Sequence, residues 1–178
     1  MNIRGLSKTS LVDYPGRICA VVFTSGCNMR CPFCHNPELA LGGENLEQIS
    51  SDEILRFLEK RRGLIDGITI TGGEPSLQPD LQEFMKKVKE AGLLVKLDSN
   101  GLNPGVISGI VKQGLADYFA IDVKSSPAKY SLATGVNADW KKVRESIEII
   151  RSSGIDYEIR TTCVPGFVTL EDMAGIGE

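Results

Sequence analysis

The sequence predicts an α/β fold, an open partial TIM-type (β/α) barrel built on parallel strands. Short β-branched and aromatic runs alternate with stretches of helical periodicity, the rhythm of strand–helix–strand crossovers. The chemically unusual residues fall just after those runs, the edge at which parallel α/β sheets bind ligands. Five strands can be counted against the eight of a closed barrel, so the barrel is expected to be open.

Each element has its own signature. Residues 1–16 read as an irregular lead-in closed by Tyr14-Pro15-Gly16. Ile18 to Thr24 is a strand apolar on both faces, as in a parallel sheet. Gly26 ends it, and Gly42-Gly43 closes the loop that follows. Ser50-Ser51-Asp52-Glu53 has the form of a capping box. Ile54, Leu55 and Leu58 then give one apolar face to a helix ending near Arg61-Arg62-Gly63. Gly67 to Thr71 is the second strand and runs into Gly72-Gly73-Glu74-Pro75. Pro79 suits the first turn of a helix whose Leu81, Phe84, Met85 and Val88 share a face, ended by Ala91-Gly92.

Leu93 to Leu97 is the third strand, closing on Asp98-Ser99-Asn100-Gly101. Asn103-Pro104 caps a helix carrying Val106, Ile107, Ile110 and Val111. Tyr118 to Val123 is the fourth strand, with Asp122 and Lys124 at its end. Ser126-Pro127 opens a short helix, and a longer one follows with Trp140, Val143, Ile147 and Ile150 as a core stripe. Ile155 to Val164 is the fifth strand, ending at Pro165-Gly166. Thr169-Leu170-Glu171-Asp172 starts a last helix. It looks cut short, so the chain is expected to be truncated at its C-terminus, a fragment or a form without a sixth strand.

Bulk properties exclude several classes. The 178 residues suit a single domain over 1–178 with a core of its own. A net charge of −3 does not point to nucleic acid, and no apolar run is long enough to span a membrane. The first residues lack a signal-peptide pattern. Five cysteines, an odd number, argue against a disulfide framework and fit the reducing cytoplasmic compartment.

Three of those cysteines, Cys27, Cys31 and Cys34, stand in the spacing C-x3-C-x2-C, directly after the first strand. Thiolates this close can converge on one metal centre. A zinc site wants four protein ligands, or three and an exchangeable water, and His35 is a candidate fourth. A 4Fe–4S cluster is usually held by four cysteines, so three leave one iron open to bind and activate a small molecule. Cys19, inside a strand, reads as a small buried hydrophobe; Cys163, near a strand end, could face the site but reads as packing.

With these segments placed, the chain resembles the radical S-adenosylmethionine (SAM) superfamily. Cys27-x3-Cys31-x-Phe33-Cys34 matches its cluster motif, and Gly72-Gly73-Glu74-Pro75 its second motif after the second strand. The resemblance narrows to glycyl-radical-enzyme activating enzymes through Asp13-Tyr14-Pro15-Gly16-Arg17, Phe23-x2-Gly26-Cys27 and Cys34-His35-Asn36-Pro37. Leu97-Asp98-Ser99-Asn100-Gly101, Asp122-Val123-Lys124 and Val164-Pro165-Gly166 extend it over roughly residues 9–170. The overall pattern is most similar to activators of anaerobic ribonucleoside-triphosphate reductase, with pyruvate formate-lyase activators as close relatives.

The resemblance implies a radical SAM fold, a 4Fe–4S cluster on Cys27, Cys31 and Cys34, and SAM chelating the fourth iron. It implies SAM contacts from Gly72, Gly73 and Glu74 as acceptors for the ammonium, and from Lys124 and Arg160. Phe33 and His35 would shape the cluster and adenine surroundings. Asp98, Ser99 and Asp122 would hold a monovalent cation beside the SAM carboxylate. The implied partners are a glycyl radical enzyme and a flavodoxin or ferredoxin as electron donor. Plainer readings stand beside these: helix capping for Asp98 or Ser99, a salt bridge for Asp122, solvated or paired charges for Lys124 and Arg160, core packing for Phe33. The rival functions are a radical SAM enzyme acting on a small molecule, such as 7-carboxy-7-deazaguanine synthase, and a zinc-binding interaction module.

Overall fold

The computed structural model describes residues 1–177. Six strands form one sheet in the order β1-β2-β3-β4-β5-β6. They are β1 (Ile3–Ser10), β2 (Cys19–Thr24), β3 (Gly67–Gly72), β4 (Leu94–Ser99), β5 (Tyr118–Asp122) and β6 (Asp156–Arg160). From β2 to β6 every neighbouring pair is parallel. Helices occupy the crossovers: α1 (Pro37–Ala40), α2 (Ser51–Lys60), α3 (Leu81–Glu90), α4 (Pro104–Lys112), α5 (Tyr130–Thr134) and α6 (Trp140–Ser153), with α7 (Leu170–Gly177) after the last strand. This is the parallel, partial TIM-type barrel of the sequence reading. Among the described residues no helix is long and apolar enough to cross a membrane.

The lead-in is where the expectation fails. Residues 3–10 are not irregular; they form β1, antiparallel to β2, with Ile3 opposite Thr24 and Gly5 opposite Phe23. The pairing is broken by two irregularities, and only Ile3 of the strand is fully buried. A bulged edge strand of this kind carries no clean period-two pattern. Gly5 leaves room for its neighbour, since a Cβ there would stand 3.2 Å from the Phe23 ring.

The fifth parallel strand is also shorter than expected. It ends at Arg160, and residues 164–168 turn back on themselves, with the Phe167 and Val168 amides donating to Val164 O. The outward side chains Tyr157 and Ile159 are exposed.

Two cores lie on opposite faces of the sheet. The outer one joins Ala20, Val22, Ile68, Ile70, Val95, Leu97, Phe119 and Ile121 to the buried sides of the helices. The helix stripes behave as the periodicity predicts: Ile54 and Leu58 of α2, Leu81, Phe84, Met85 and Val88 of α3, and Val143 and Ile150 of α6 are buried. On α4 only Ile107 and Ile110 are fully buried, while Val106 and Val111 are half-buried. Burial of such side chains contributes about 1.5–3 kcal/mol each against exposure. The inner core is small, with Tyr14, Cys19 and Val21 packed against Phe23, Leu94 and Tyr118. Cys19 is therefore the buried hydrophobe its strand position implied.

Local signals mostly hold. Ser50 Oγ accepts from the Glu53 amide at 3.2 Å to start α2. Thr169 and Asp172 bond reciprocally at the start of α7. Pro79 is a correction: it lies in the turn before the cap residue Asp80, outside α3. Asn103 occupies the cap position of α4 without a side-chain cap bond, and its amide instead donates to Ser76 Oγ at 2.8 Å.

Candidate active site

The loop after β2 carries the three thiols and is tied down on several sides. α1, opened by Pro37, folds back so that the Gly26 and Cys27 amides donate to Leu39 O and Ala40 O. Arg30 Nη1 donates to Cys27 O at 2.6 Å and Met29 O at 2.7 Å. The Arg30 amide reaches Thr134 O at 2.8 Å, linking the loop to α5. Gly135, at φ +67°, permits this approach; a Cβ there would fall 2.2 Å from Arg30 O.

Cys27, Cys31 and Cys34 all face one cavity of about 450 Å³. The same cavity is lined by Phe33, His35, Gly72, Gly73, Glu74, Asp98, Ser99, Asp122 and Lys124. The loop after β2 and the ends of β3, β4 and β5 therefore meet at one rim. The volume lies in the range of small-molecule and cofactor sites. Burial pushes the Cys27 and Cys31 thiols up, and for Cys31 the neighbouring Cys27 and Cys34 push the same way. The Met29 amide, 3.4 Å from Cys27 Sγ, acts in the opposite sense. Among the described residues no three His, Cys, Asp or Glu are grouped as ligands of a single metal ion. Three thiols on one wall with a ligand-sized space beside them fit a multi-iron cluster with one open position.

Glu74 sits differently from the expectation. Although it lines the cavity, the residue is 1% exposed and its carboxylate oxygens are taken by protein groups. Oε1 accepts from the Ser76 amide at 3.0 Å and from Ser99 Oγ at 2.8 Å, and Oε2 from the Asn100 amide at 2.7 Å. Burial pushes its carboxyl pKa up, and these hydrogen bonds oppose the shift. The glycines before it serve chain packing. A Cβ on Gly72 would lie 2.3 Å from Thr24 O, and one on Gly73 2.2 Å from Gly26 O. The Gly73 amide donates to Thr24 O and the Glu74 amide to Gly26 O, so this turn is laced to the cysteine loop by backbone alone.

The charged residues form one connected set. Arg160 bridges Asp122 Oδ1 at 3.0 Å and Asp98 Oδ2 at 3.1 Å, and does not line the cavity. Lys124 does line it, with Nζ 3.1 Å from Asp122 Oδ2. Burial raises the Asp122 pKa, but Lys124 and then Arg160 outweigh it and leave the carboxyl below its usual range. Asp98 Oδ1 is taken by Lys96 at 2.7 Å. Ser99 Oγ donates to Glu74 and accepts from the Gly101 amide at 3.1 Å. The oxygens expected to hold a monovalent cation are thus already paired within the protein, and the donor set does not fit that ion.

Phe33 lines the cavity and also packs on Phe167, ring centroids 5.1 Å apart. His35 is exposed at its rim. Cys163 is a correction: it is exposed rather than packed.

Two residues carry more than the sequence reading gave them. Asn100 Nδ2 donates to Asn28 Oδ1 at 2.7 Å and stands 4.0 Å from Cys27 Sγ. Its signal was its place in the loop after β4. Lys96 is 1% exposed, and a lysine between Val95 and Leu97 in a buried strand was the sign available.

Residues 21–176 match the family model described as the Radical SAM superfamily. A Methanocaldococcus jannaschii protein named as a glycyl-radical enzyme activating enzyme is 37% identical over 99% of this chain and 74% of its own length. The pyruvate formate-lyase-activating enzyme of Clostridium pasteurianum is 32% identical over 92% of this chain and 68% of its own. The structure of Streptococcus suis SuiB bound to precursor peptide SuiA superposes with a TM-score of 0.70 over 88% of this chain and 35% of that one; at 14% identity this likeness speaks for the fold alone. Three thiols and four strand ends around one cavity are what such a fold needs to hold a 4Fe–4S cluster and S-adenosylmethionine, and the chain belongs to the radical SAM superfamily, within it to the glycyl-radical-enzyme activating enzymes.

Proposed function

We propose that this chain generates a glycyl radical on a partner enzyme, with Cys27, Cys31 and Cys34 as the cluster ligands and the adjoining cavity as the SAM site. The observation that carries the reading is the single cavity shared by the three thiols and the ends of β3, β4 and β5. When bound, a reduced cluster held by Cys27, Cys31 and Cys34 would supply the electron for reductive cleavage of SAM, the chemistry that would end in removal of a hydrogen atom from a glycine Cα.

The chain's own residues do the positioning. Gly72 and Gly73 line the cavity and would offer backbone carbonyls to a ligand ammonium, and the absence of a Cβ lets this turn lie close against Thr24 and Gly26. Lys124, at the cavity wall, offers the cation for a ligand carboxylate. Phe33 and His35 line the same wall as the thiols and suit the nucleoside end. Arg160 acts from behind by holding Asp98 and Asp122 in place. A flavodoxin or ferredoxin supplies the electron.

The first partner we propose is anaerobic ribonucleoside-triphosphate reductase, on the overall sequence pattern. Pyruvate formate-lyase is the second, favoured by the name of the C. pasteurianum relative. Each partner is mixed anaerobically with the reduced, cluster-loaded chain and SAM, and the glycyl radical is read by electron paramagnetic resonance. A glycyl signal with one partner, and deoxyadenosine formed in step with it, is expected. Deoxyadenosine formed with a small molecule and no radical on any protein would overturn the reading.

A further inference from the structure

The inner face of the sheet carries a charge ladder, two members of which, Lys96 and Glu158, have no part in the SAM site proposed above. The strand register sets its rungs. Asp98, Ala120 and Glu158 lie side by side across β4, β5 and β6, with Asp122 and Arg160 one rung above and Lys96 and Tyr118 one rung below. Lys96 Nζ reaches up to Asp98 Oδ1 at 2.7 Å and Glu158 Oε1 at 3.4 Å. It also lies 5.9 Å from the Tyr118 ring centroid, a cation–π distance. Arg160 contacts Asp98, Asp122 and Glu158, and Lys124 contacts Asp122. Three carboxylates, Asp98, Asp122 and Glu158, thus face three cations, Lys96, Arg160 and Lys124.

A monovalent metal ion beside Asp98 and Asp122 would add a fourth positive charge to a balanced set. Arg160 and Lys124 are part-exposed. Lys96 is not: its side chain is 1% exposed, between Tyr118 and two carboxylates. A buried charge is kept by its partners, and leaving them unpaired is costly.

We propose that Lys96, with Arg160, is the built-in counter-charge of the Asp98–Asp122 pair, so that this chain binds its sulfonium ligand without a monovalent metal ion. The ligand half of the statement rests on the SAM site proposed above; the cation half does not. The chemistry is general: an ammonium of fixed position replaces a mobile ion of the same charge, and the site no longer responds to the salt.

Two measurements on the anaerobically purified, cluster-containing chain test it. In the first, sodium NMR line broadening is followed with potassium as competitor, in tetramethylammonium buffer without SAM. The wild type should show no saturable, potassium-displaceable broadening. Lys96→Met leaves Asp98 Oδ1 and Glu158 without their ammonium, and should gain such a site, since hard carboxylate oxygens suit alkali ions. In the second, SAM binding is measured by equilibrium dialysis with potassium or with tetramethylammonium as the only cation. The wild-type Kd should agree within about twofold between the buffers, while Lys96→Met should depend on potassium by about tenfold or more.

Saturable sodium broadening in the wild type overturns the proposal, as does a wild-type Kd tightened about tenfold by potassium. A folded Lys96→Met, with wild-type circular dichroism and iron content, that gains no cation site overturns it too. If Lys96→Met does not fold, the two wild-type measurements decide. Failure of SAM to bind in either buffer defeats the proposed SAM site, and the sodium measurement still judges the cation.

Discussion

Glu74 Oε1 accepts a hydrogen bond from Ser99 Oγ at 2.8 Å, joining the turn after β3 to the end of β4 out of reach of solvent. The other oxygen of the same carboxylate takes the Asn100 amide, and Asn100 in turn stands beside Cys27 and Asn28. A motif residue that lines the cavity is thus also a brace between strand ends, and through Asn100 it reaches the first thiol.

Glu74→Ala leaves two buried amides and one hydroxyl without an acceptor. At about 1–3 kcal/mol for each buried group left unsatisfied, discounted for relaxation, a loss of about 3 kcal/mol in unfolding free energy is expected. Glu74→Gln is milder, about 1–2 kcal/mol, because its amide NH2 must face either the Asn100 N–H or the Ser76 N–H, while the Ser99 hydroxyl can turn from donor to acceptor. Anaerobic urea unfolding measures both. An unchanged midpoint for Glu74→Ala would sink the brace.

Gly73→Ala sets a methyl group 2.2 Å from Gly26 O and 2.8 Å from Gly26 C, backbone atoms that no side-chain rotation can move. The turn must lift off the cysteine loop, breaking the Glu74 amide bond to Gly26 O. The expected cost is about 2 kcal/mol or more, within the range of overpacking, together with lost iron. Gly105→Ala, in α4 with open space at its Cβ, is the control and should stabilise by about 0.5–1 kcal/mol. Iron per chain and unfolding midpoints report on both. Full iron in Gly73→Ala would mean that the contact is not needed.

What could be read from the sequence was what is local. The α3 stripe follows from spacing within one helix, and the thiols from spacing within one loop. What could not be read was set by partners far along the chain. β1 is a strand because β2 offers it a free edge, although Gly5 and its polar neighbours erase the alternation. The bracing role of Glu74 was out of sight because two of its partners, Ser99 and Asn100, come 25 and 26 residues later. Arg160 belongs behind the cavity because Asp98 and Asp122 reach it first. Lys96 is the exception, a local anomaly of charge in a buried strand that the sequence pattern itself displays.

Each of Cys27→Ala, Cys31→Ala and Cys34→Ala should strip the cluster, since three ligands leave none to spare. His35→Ala should keep it, because its exposed ring lies at the rim and a fourth protein ligand is not wanted. Cys163→Ser, at an exposed site, should keep it too. Iron content and visible absorbance after anaerobic purification check the series. Iron loss in His35→Ala equal to that in Cys27→Ala would return the loop to a four-ligand metal site.

Asp172 ties α7 to the turn before α5. It accepts from Lys129 Nζ at 2.7 Å, from Ser126 Oγ at 2.7 Å and from the Thr169 amide and hydroxyl at 2.8 Å each. The Lys129 hydrogen bond first, then those of Ser126 and Thr169, hold its carboxyl far below the usual value of 3.8. A carboxyl depressed in the folded state stabilises fully above its unfolded pKa, and that stabilisation is lost as pH falls through the folded value. The protection of the α7 amides against hydrogen exchange, corrected for intrinsic rate, should therefore be level at neutral pH and decline once the pH drops below about 3.8. Asp172→Asn keeps an acceptor oxygen but not the charge that Lys129 pairs with. It should exchange several-fold faster in α7 at neutral pH and show no acid step of its own. An acid step of the same size in both proteins would assign the decline to other carboxylates and free Asp172 of this role.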